Sequence, residues 1–407
     1  MNAAVLPPGV FRPAYEKELR MFLIAGEPSG DALGGGLMRA VTRRARRARF
    51  AGVGGPAMEA QGLTSLLPLS DISVMGILPV LKRLPQLIAL IGKIVDAVIA
   101  AEPDVLVIID SPDFTHRVAR HVRRARPNLP IINYVSPNVW AWRPWRARRM
   151  CGYIDHVLAL LPFEPAEYKR LDGPDCTYVG HPLIEKMALL RPRAKEMQSR
   201  EMFPSTLLVM PGSRESEIRR LMPVFGSALA RLSEAHRLIV LPTLPHLEHL
   251  VRAEAQKWTL TPRIITTACD KYAAMRRARA ALVASGSATL ELALAGVPMV
   301  VAYRVSLIEE LLARQMLRID KIALPNLILG RHAMPECVQA ACSAKALAEA
   351  LAPLLAGGAE REAQLTAFAE LVSLMNVEAH ATPSERAAEI VESIAERARS
   401  RMQRAAA

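Results

Sequence analysis

The chain has 407 residues, 51% apolar and only 5% aromatic, and 52 Lys and Arg against 39 Asp and Glu give it a formal charge of +13. That aliphatic content excludes disorder as the main state and favours packed helices and parallel strands over an all-β sandwich. The charge calls for an anionic partner, and composition alone leaves nucleic acid, phosphate-bearing small molecules and an anionic membrane face open.

At roughly 150 residues per domain the length suggests two or three domains. Residues 1–20, with Pro7, Pro8, Pro13, Glu16 and Glu18, lack the apolar run of a secretory signal and read as an extension before the first strand. Short apolar runs at 21–25, 50–53, 105–110, 131–135, 156–160 and 177–179 are separated mostly by helical patterns. Such alternation predicts βαβ units and a parallel sheet. The segment 182–204 is a connector rich in Arg, Lys and Met. The pattern then restarts at 206–210, 237–241, 263–266, 280–284 and 298–303, and a helical stretch with breaks at Pro353 and Pro383 ends the chain. The fold class is therefore α/β, two doubly wound domains facing a cleft, with ligands expected at the carboxyl ends of the strands. The five cysteines form no CxxC pair and read as reduced core thiols. The most apolar stretch, 84–101, is broken by Gln86, Lys93 and Asp96 and falls short of a transmembrane helix. Residues 77–101, with Lys82, Arg83 and Lys93 among aliphatics, suit either a membrane-interface helix or a buried crossover helix.

Four strand-end turns carry candidate chemistry. Gly26-Glu27-Pro28-Ser29-Gly30-Asp31 opens a helix, with Gly34, Gly35 and Gly36 behind it, and its small residues let a ligand approach helix N-terminal amides. It is neither GxGxxG nor a Walker loop. Glu27 and Ser29 aim at the cleft, and a plain capping role for Ser29 or Asp31 is the alternative. Asp110 ends a wholly apolar strand, where a partly desolvated carboxylate gains basicity and suits a general base; Asp113 reads as a helix cap. Gly212-Ser213-Arg214 starts the second domain as a diphosphate clamp of amides and a forked cation. Ser285-Gly286-Ser287 offers amides and hydroxyls to phosphate oxygens, and Glu291 a carboxylate to ribose hydroxyls, against the alternative of a capped helix with an acidic first turn. His246 and His249 are three apart with no third ligand nearby, which is no metal signature. The arginine runs read as solvated faces.

Together these residues resemble the lipid-A-disaccharide synthase family, glycosyltransferases of the two-Rossmann (GT-B) class. The matching stretches are 25–31, 73–76, 109–114, 134–143, 161–164, 179–181, 210–214, 284–291, 298–304 and 324–326. The most specific is Tyr134-Val135-Ser136-Pro137-Asn138-Val139-Trp140-Ala141-Trp142-Arg143. The resemblance implies an inverting transfer from UDP-2,3-diacylglucosamine to the 6-hydroxyl of 2,3-diacylglucosamine 1-phosphate. The products are a β-1,6 disaccharide 1-phosphate and UDP. Asp110 matches the family's base. Glu27, Ser29 and Gly30 match cleft residues, and Asn326 matches a residue needed near the donor. Gly212, Ser213, Arg214, Ser285, Gly286, Thr289 and Glu291 fall to UDP. No cofactor, metal or nucleic acid is expected. The expected partner is an anionic membrane surface, and the resemblance implies a chain that is cytoplasmic and peripheral on the inner face of the inner membrane. Domain bounds follow as an extension 1–20, an acceptor domain 21–185, a UDP-sugar domain 186–378 and a C-terminal helix 379–407 crossing back to the first domain. Residues 330–336, with His332 and Pro335, depart from the family pattern. A different UDP-sugar enzyme of the same fold, such as a peptidoglycan glucosaminyltransferase or a sugar 2-epimerase, would use Gly212–Arg214 and Glu291 equally. A nucleic-acid binder would require stacking aromatics that a 5% aromatic chain scarcely provides.

Overall fold

The structure is a computed structural model that describes residues 18–44, 47–72, 84–202, 204–232, 237–306, 310, 319–376 and 381–406. The expected 73–76 stretch, most of the 1–20 extension and the first part of the 77–101 segment lie outside these residues. The chain divides into two compact units, Met1–Pro182 with Val377–Ala407, and Leu183–Asn376.

The first unit holds a six-stranded parallel sheet in the order β2-β1-β3-β4-β5-β6. Its strands are β1 Leu19–Ala25, β2 Ala48–Val53, β3 Val105–Ile109, β4 Ile131–Tyr134, β5 His156–Ala159 and β6 Asp175–Tyr178. Alternate residues feed opposite faces, as the two-residue period of a strand requires. Met21, Leu23, Val107 and Ile109 join one core, while Phe22, Ile24, Leu106 and Ile108 join the other. A strand buried on both faces reads as an unbroken apolar run, which is why β3 was legible.

The helix Leu84–Ala101 buries Ile91, Ile94 and Val98 in the second of these cores. Over that half it is a buried crossover helix between β2 and β3. Ile88, near its start, is 58% exposed. No helix among the described residues is long and apolar enough to cross a membrane.

The last helix, Pro383–Ala406, belongs to the first unit. Ala387, Ala388, Val391 and Ala395 share a core with Leu37, Met38 and Val41 of the helix Pro28–Arg44. Arg44 pairs with Glu392 at 3.1 Å, and Arg399 with Asp104 at 2.6 Å. The glycines Gly34, Gly35 and Gly36 serve this packing. A Cβ on them would meet Met58 Sδ at 2.5 Å, the Ala57 carbonyl at 2.7 Å and Ser384 Oγ at 2.7 Å. Their smallness admits neighbouring helices, where the sequence had suggested ligand approach.

The second unit has the order β12-β11-β10-β7-β8-β9, again all parallel. Its strands are β7 Ser205–Met210, β8 Arg237–Pro242, β9 Arg263–Ile265, β10 Ala278–Ala284, β11 Met299–Tyr303 and β12 Glu336–Val338. The edge strand β12 was not anticipated. Three buried arginines absorb part of the charge here. Arg200 donates to the carbonyls of Met275, Arg276, Ala295 and Gly296, and Arg279 and Arg361 to those of Leu355, Ala356 and Leu354. All of these are carbonyls at helix ends, where cations are favoured.

Candidate active site

In each sheet the winding reverses beside the strand that starts it, between β1 and β3 and between β7 and β10. Loops at such points splay apart and leave room for a ligand at the strands' carboxyl ends.

At the first point Ala25 lies opposite Ile109, which brings the turns after them together. Gly26 donates its amide to Ile109, and a Cβ on it would lie 2.1 Å from Ser111 Cβ. Gly30 is similarly buried, 3.2 Å from the Ile109 carbonyl at its would-be Cβ. Asp110 and Ser111 both take left-handed backbone, φ 59° and 47°. Each such residue costs about 1–2 kcal/mol, a strain that surrounding structure must impose. The tie is visible: Thr115 Oγ1 donates to the carbonyls of both. The Asp110 carboxylate is half-buried. It accepts from Ser29 Oγ at 3.0 Å and from the Ser111 amide at 2.8 Å, one donor on each oxygen. Glu27 is half-buried and Ser29 exposed on the same turn. Asp31 caps no part of its own helix. Its carboxylate takes the amides of Gly55, Ala57 and Met58, and so closes the start of the short helix Pro56–Glu59.

The Trp-rich stretch follows β4. Val135 (φ 78°) and Arg143 (φ 54°) are left-handed too, an uncommon state for a β-branched and a long side chain. Glu164, buried at the start of the helix Glu164–Arg170, holds this segment in place. It accepts from the Trp140 indole at 3.2 Å and from the Leu161 amide at 2.9 Å, while Trp140 meets Phe163 edge-on. Burial pushes the Glu164 carboxyl up to about 7, against these hydrogen bonds. Ser136 bonds the Tyr168 hydroxyl at 3.1 Å. Burial holds His116, whose Nδ1 lies 3.1 Å from the Tyr153 hydroxyl, down at about 4, so it stays neutral. Asp113 pairs with Arg146 at 2.5 Å.

In the second unit a cavity of about 520 Å³ opens at the carboxyl ends of the strands around the β7/β10 switch point. Gly212, Ser213, Arg214, Ser285, Gly286 and Glu291 all line it. Gly212 has φ 115° and a Cβ there would sit 2.3 Å from Glu217 Oε2, so glycine is required. Glu217 accepts from the Ser213 and Arg214 amides at 2.9 and 3.2 Å and from Arg214 Nη1 at 3.1 Å. The donors that the sequence offered to a diphosphate are thus already bridged by a carboxylate of their own helix. Glu291 is paired with Lys271, whose Nζ lies 2.9 and 2.8 Å from its two oxygens. Ser285 Oγ donates to the Ile322 carbonyl at 2.8 Å.

Two expected contacts sit elsewhere. Thr289 is fully buried, lies outside the cavity lining and spends its hydroxyl on the Gly286 carbonyl at 2.7 Å. It shapes the turn. Asn326 is also fully buried and outside the lining. Its amide donates to the Met334 carbonyl and Glu336, and its oxygen accepts from the Ala333 and Met334 amides. Glu336 in turn takes the Ile322 and Ala323 amides. The unusual 330–336 stretch is therefore a closed polar staple leading into β12. Lys271, Thr243 and Glu217 line the cavity and were not foreseen. Thr243 Oγ1 is buried with no partner among the described residues, which marks it for a ligand. Its position just past β8 was the available signal. Among the described residues no three His, Cys, Asp or Glu converge as a metal site.

Two parallel doubly wound sheets with polar turns at their switch points define a fold of the GT-B type. Solved structures share the fold. MurG of Acinetobacter baumannii superposes with a TM-score of 0.57 at 13% identity, over 92% of this chain and 99% of that one. The calicheamicin glycosyltransferase CalG4 gives 0.55 at 17%, over 94% and 99%.

The family model described as lipid-A-disaccharide synthetase matches residues 21–391, and the chain belongs to that family of enzymes. It is 55% identical over 381 residues to the lipid-A-disaccharide synthase of Nitrobacter hamburgensis, covering 93% of this chain and 96% of the relative. It is 52% identical to that of Rhodopseudomonas palustris strain CGA009, covering 91% and 95%.

Proposed function

We propose that this enzyme transfers 2,3-diacylglucosamine from UDP to the 6-hydroxyl of 2,3-diacylglucosamine 1-phosphate in one inverting step. Asp110 takes the proton of the 6-hydroxyl as that oxygen attacks the anomeric carbon. The carbon–oxygen bond to UDP breaks on the opposite face, so an α-linked donor gives a β-1,6 product. In the donor cavity Glu291 receives the ribose hydroxyls. The Ser285–Ser287 turn and Arg214 face the diphosphate, whose growing charge is stabilised by preorganised donors. Thr289 and Asn326 position these turns. The single observation that carries the reading is the Asp110 carboxylate, held by Ser29 and its own neighbour's amide in a strained turn at the β1/β3 switch point.

The acylated substrates place the enzyme on the cytoplasmic face of the inner membrane as a peripheral protein. Exposed Ile88 and Trp145 and the surplus of arginine support that reading.

The test is incubation with both lipids, with and without EDTA, followed by mass analysis. A disaccharide 1-phosphate formed in both conditions is expected. Asp110→Asn is expected to lose turnover by at least 100-fold and keep UDP binding, in line with the contribution of a general base of about 10²–10⁴. Near-normal turnover in that variant would refute the base assignment.

A further inference from the structure

Residues 142–149 hold Trp142, Arg143, Trp145, Arg146, Arg148 and Arg149, a concentration of indole and guanidinium that the donor cavity does not use. Arg143 lies 4.1 Å from the centre of the Trp142 ring, Arg146 lies 5.9 Å from it, and Arg149 sits 4.5 Å over Trp145. Among the described residues only Arg146 has a carboxylate partner, Asp113. Arg143 is half-buried, left-handed and without an ion-pair partner there. A guanidinium laid on an indole is fixed in plane and stripped of water on one face. Its forked donors are then left for an oxyanion, and a phosphate suits that fork better than any neutral group.

The register sets this turn beside the base. The Asp110 amide donates to the Tyr134 carbonyl, at the strand end from which the Trp-rich stretch departs. Arg146 is anchored on Asp113, which lies three residues past Asp110, so the two aspartate Cα atoms are at most about 11 Å apart. An acceptor hexose carries its 6-hydroxyl on one side of the ring oxygen and its anomeric phosphate on the other, so it calls for an anion site near the base.

We propose that Arg143 and Arg146, backed by Trp142, form a phosphomonoester site that takes the anomeric phosphate of the acceptor sugar and so presents its 6-hydroxyl to Asp110. The proposal rests on the acceptor named above. Phospholipid headgroups share the same chemistry, so the test separates the two sources.

Acceptor kcat/KM is measured in uncharged detergent micelles, at saturating donor, for the 1-phosphate and for the same diacylglucosamine without it. The wild-type chain is expected to prefer the phosphate form. In Arg143→Ala that preference is expected to fall about ten- to a hundredfold, the range of a hydrogen bond to a charged group. Arg143→Lys keeps the charge and loses the fork. It is expected to lose most of the same preference, and it replaces the alanine variant if that folds poorly. An unchanged preference in both variants overturns the site. Binding to phosphatidylglycerol and phosphatidylcholine vesicles is measured alongside. If Arg143→Ala loses only its attraction to the anionic vesicles and keeps the acceptor preference, the turn serves headgroups and the proposal falls. A wild-type chain that makes disaccharide equally well from both acceptors sinks the phosphate site alone. One that makes none from either sinks the reaction assignment itself.

Discussion

Glu217→Gln tests whether the turn after β7 holds the donor's diphosphate. The carboxylate bridges the Ser213 and Arg214 amides and the Arg214 guanidinium at 2.9–3.2 Å, so a diphosphate on the same donors must displace it or lie beside it. Two unit charges about 5 Å apart repel by about 3 kcal/mol at an effective dielectric near 20. Arg214 is 66% exposed and the cavity is open to solvent, so about 1 kcal/mol of that survives. Glutamine keeps one acceptor oxygen for the amides and removes the charge. UDP is then expected to bind about fivefold tighter by calorimetry at low ionic strength, with the gain shrinking as salt is added. The weakened helix start is expected to cost about 0.5–1 kcal/mol of stability. If UDP binds no better, or worse, the Ser213 and Arg214 amides do not meet phosphate and Glu217 only closes the turn.

Asn326→Ala strips four partners inside a fully buried staple and is expected to cost about 2–4 kcal/mol by thermal unfolding. UDP affinity should change less than about threefold, a loss below about 1 kcal/mol. Collapse of UDP binding at unchanged stability would make Asn326 a direct contact. Glu164 gives a pH signature. Its carboxyl titrates at about 7 in the fold against 4.5 when exposed, so the folded chain binds more protons between those values. Its favourable contribution is complete below 4.5 and is lost as pH rises through 7, about 3 kcal/mol in all. Glu164→Gln removes this slope. The unfolding free energy of the variant relative to wild type should therefore rise by about that amount between pH 4.5 and 8, followed by tryptophan fluorescence. Parallel pH curves would contradict it.

Eleven of the described strands were legible, and the central ones, such as Val105–Ile109, were plainest because parallel strands buried on both faces are unbroken apolar runs. The edge strand Glu336–Val338 was not, since its three residues carry no period and its glutamate is spent on distant amides. The strand-end turns were legible for a similar reason: glycine and hydroxyl residues stand out directly after such runs. Roles that depend on partners far along the chain were hidden. Asp31 looked like a local cap and closes a helix some 25 residues on. Asn326 and Thr289 looked like ligand contacts and turned inward. Lys271 had no local signature, and Glu164 stood out only within the matching stretch 161–164, because what gives each its role is the side chain it meets, Glu291 for one and Trp140 for the other.

The return of Pro383–Ala406 to the first unit also bears on biosynthesis. Leu37, Met38 and Val41 share their core with side chains translated only after the whole of Leu183–Asn376. At 5–20 residues per second the ribosome takes on the order of 10–40 s to cross that interval. During it the nascent first unit displays an uncovered apolar groove, and at its end the second unit has all of Leu183–Asn376 while the first still lacks its last helix. The unit begun first is therefore finished last, and ribosome-associated holdases have a defined surface and a defined interval in which to act.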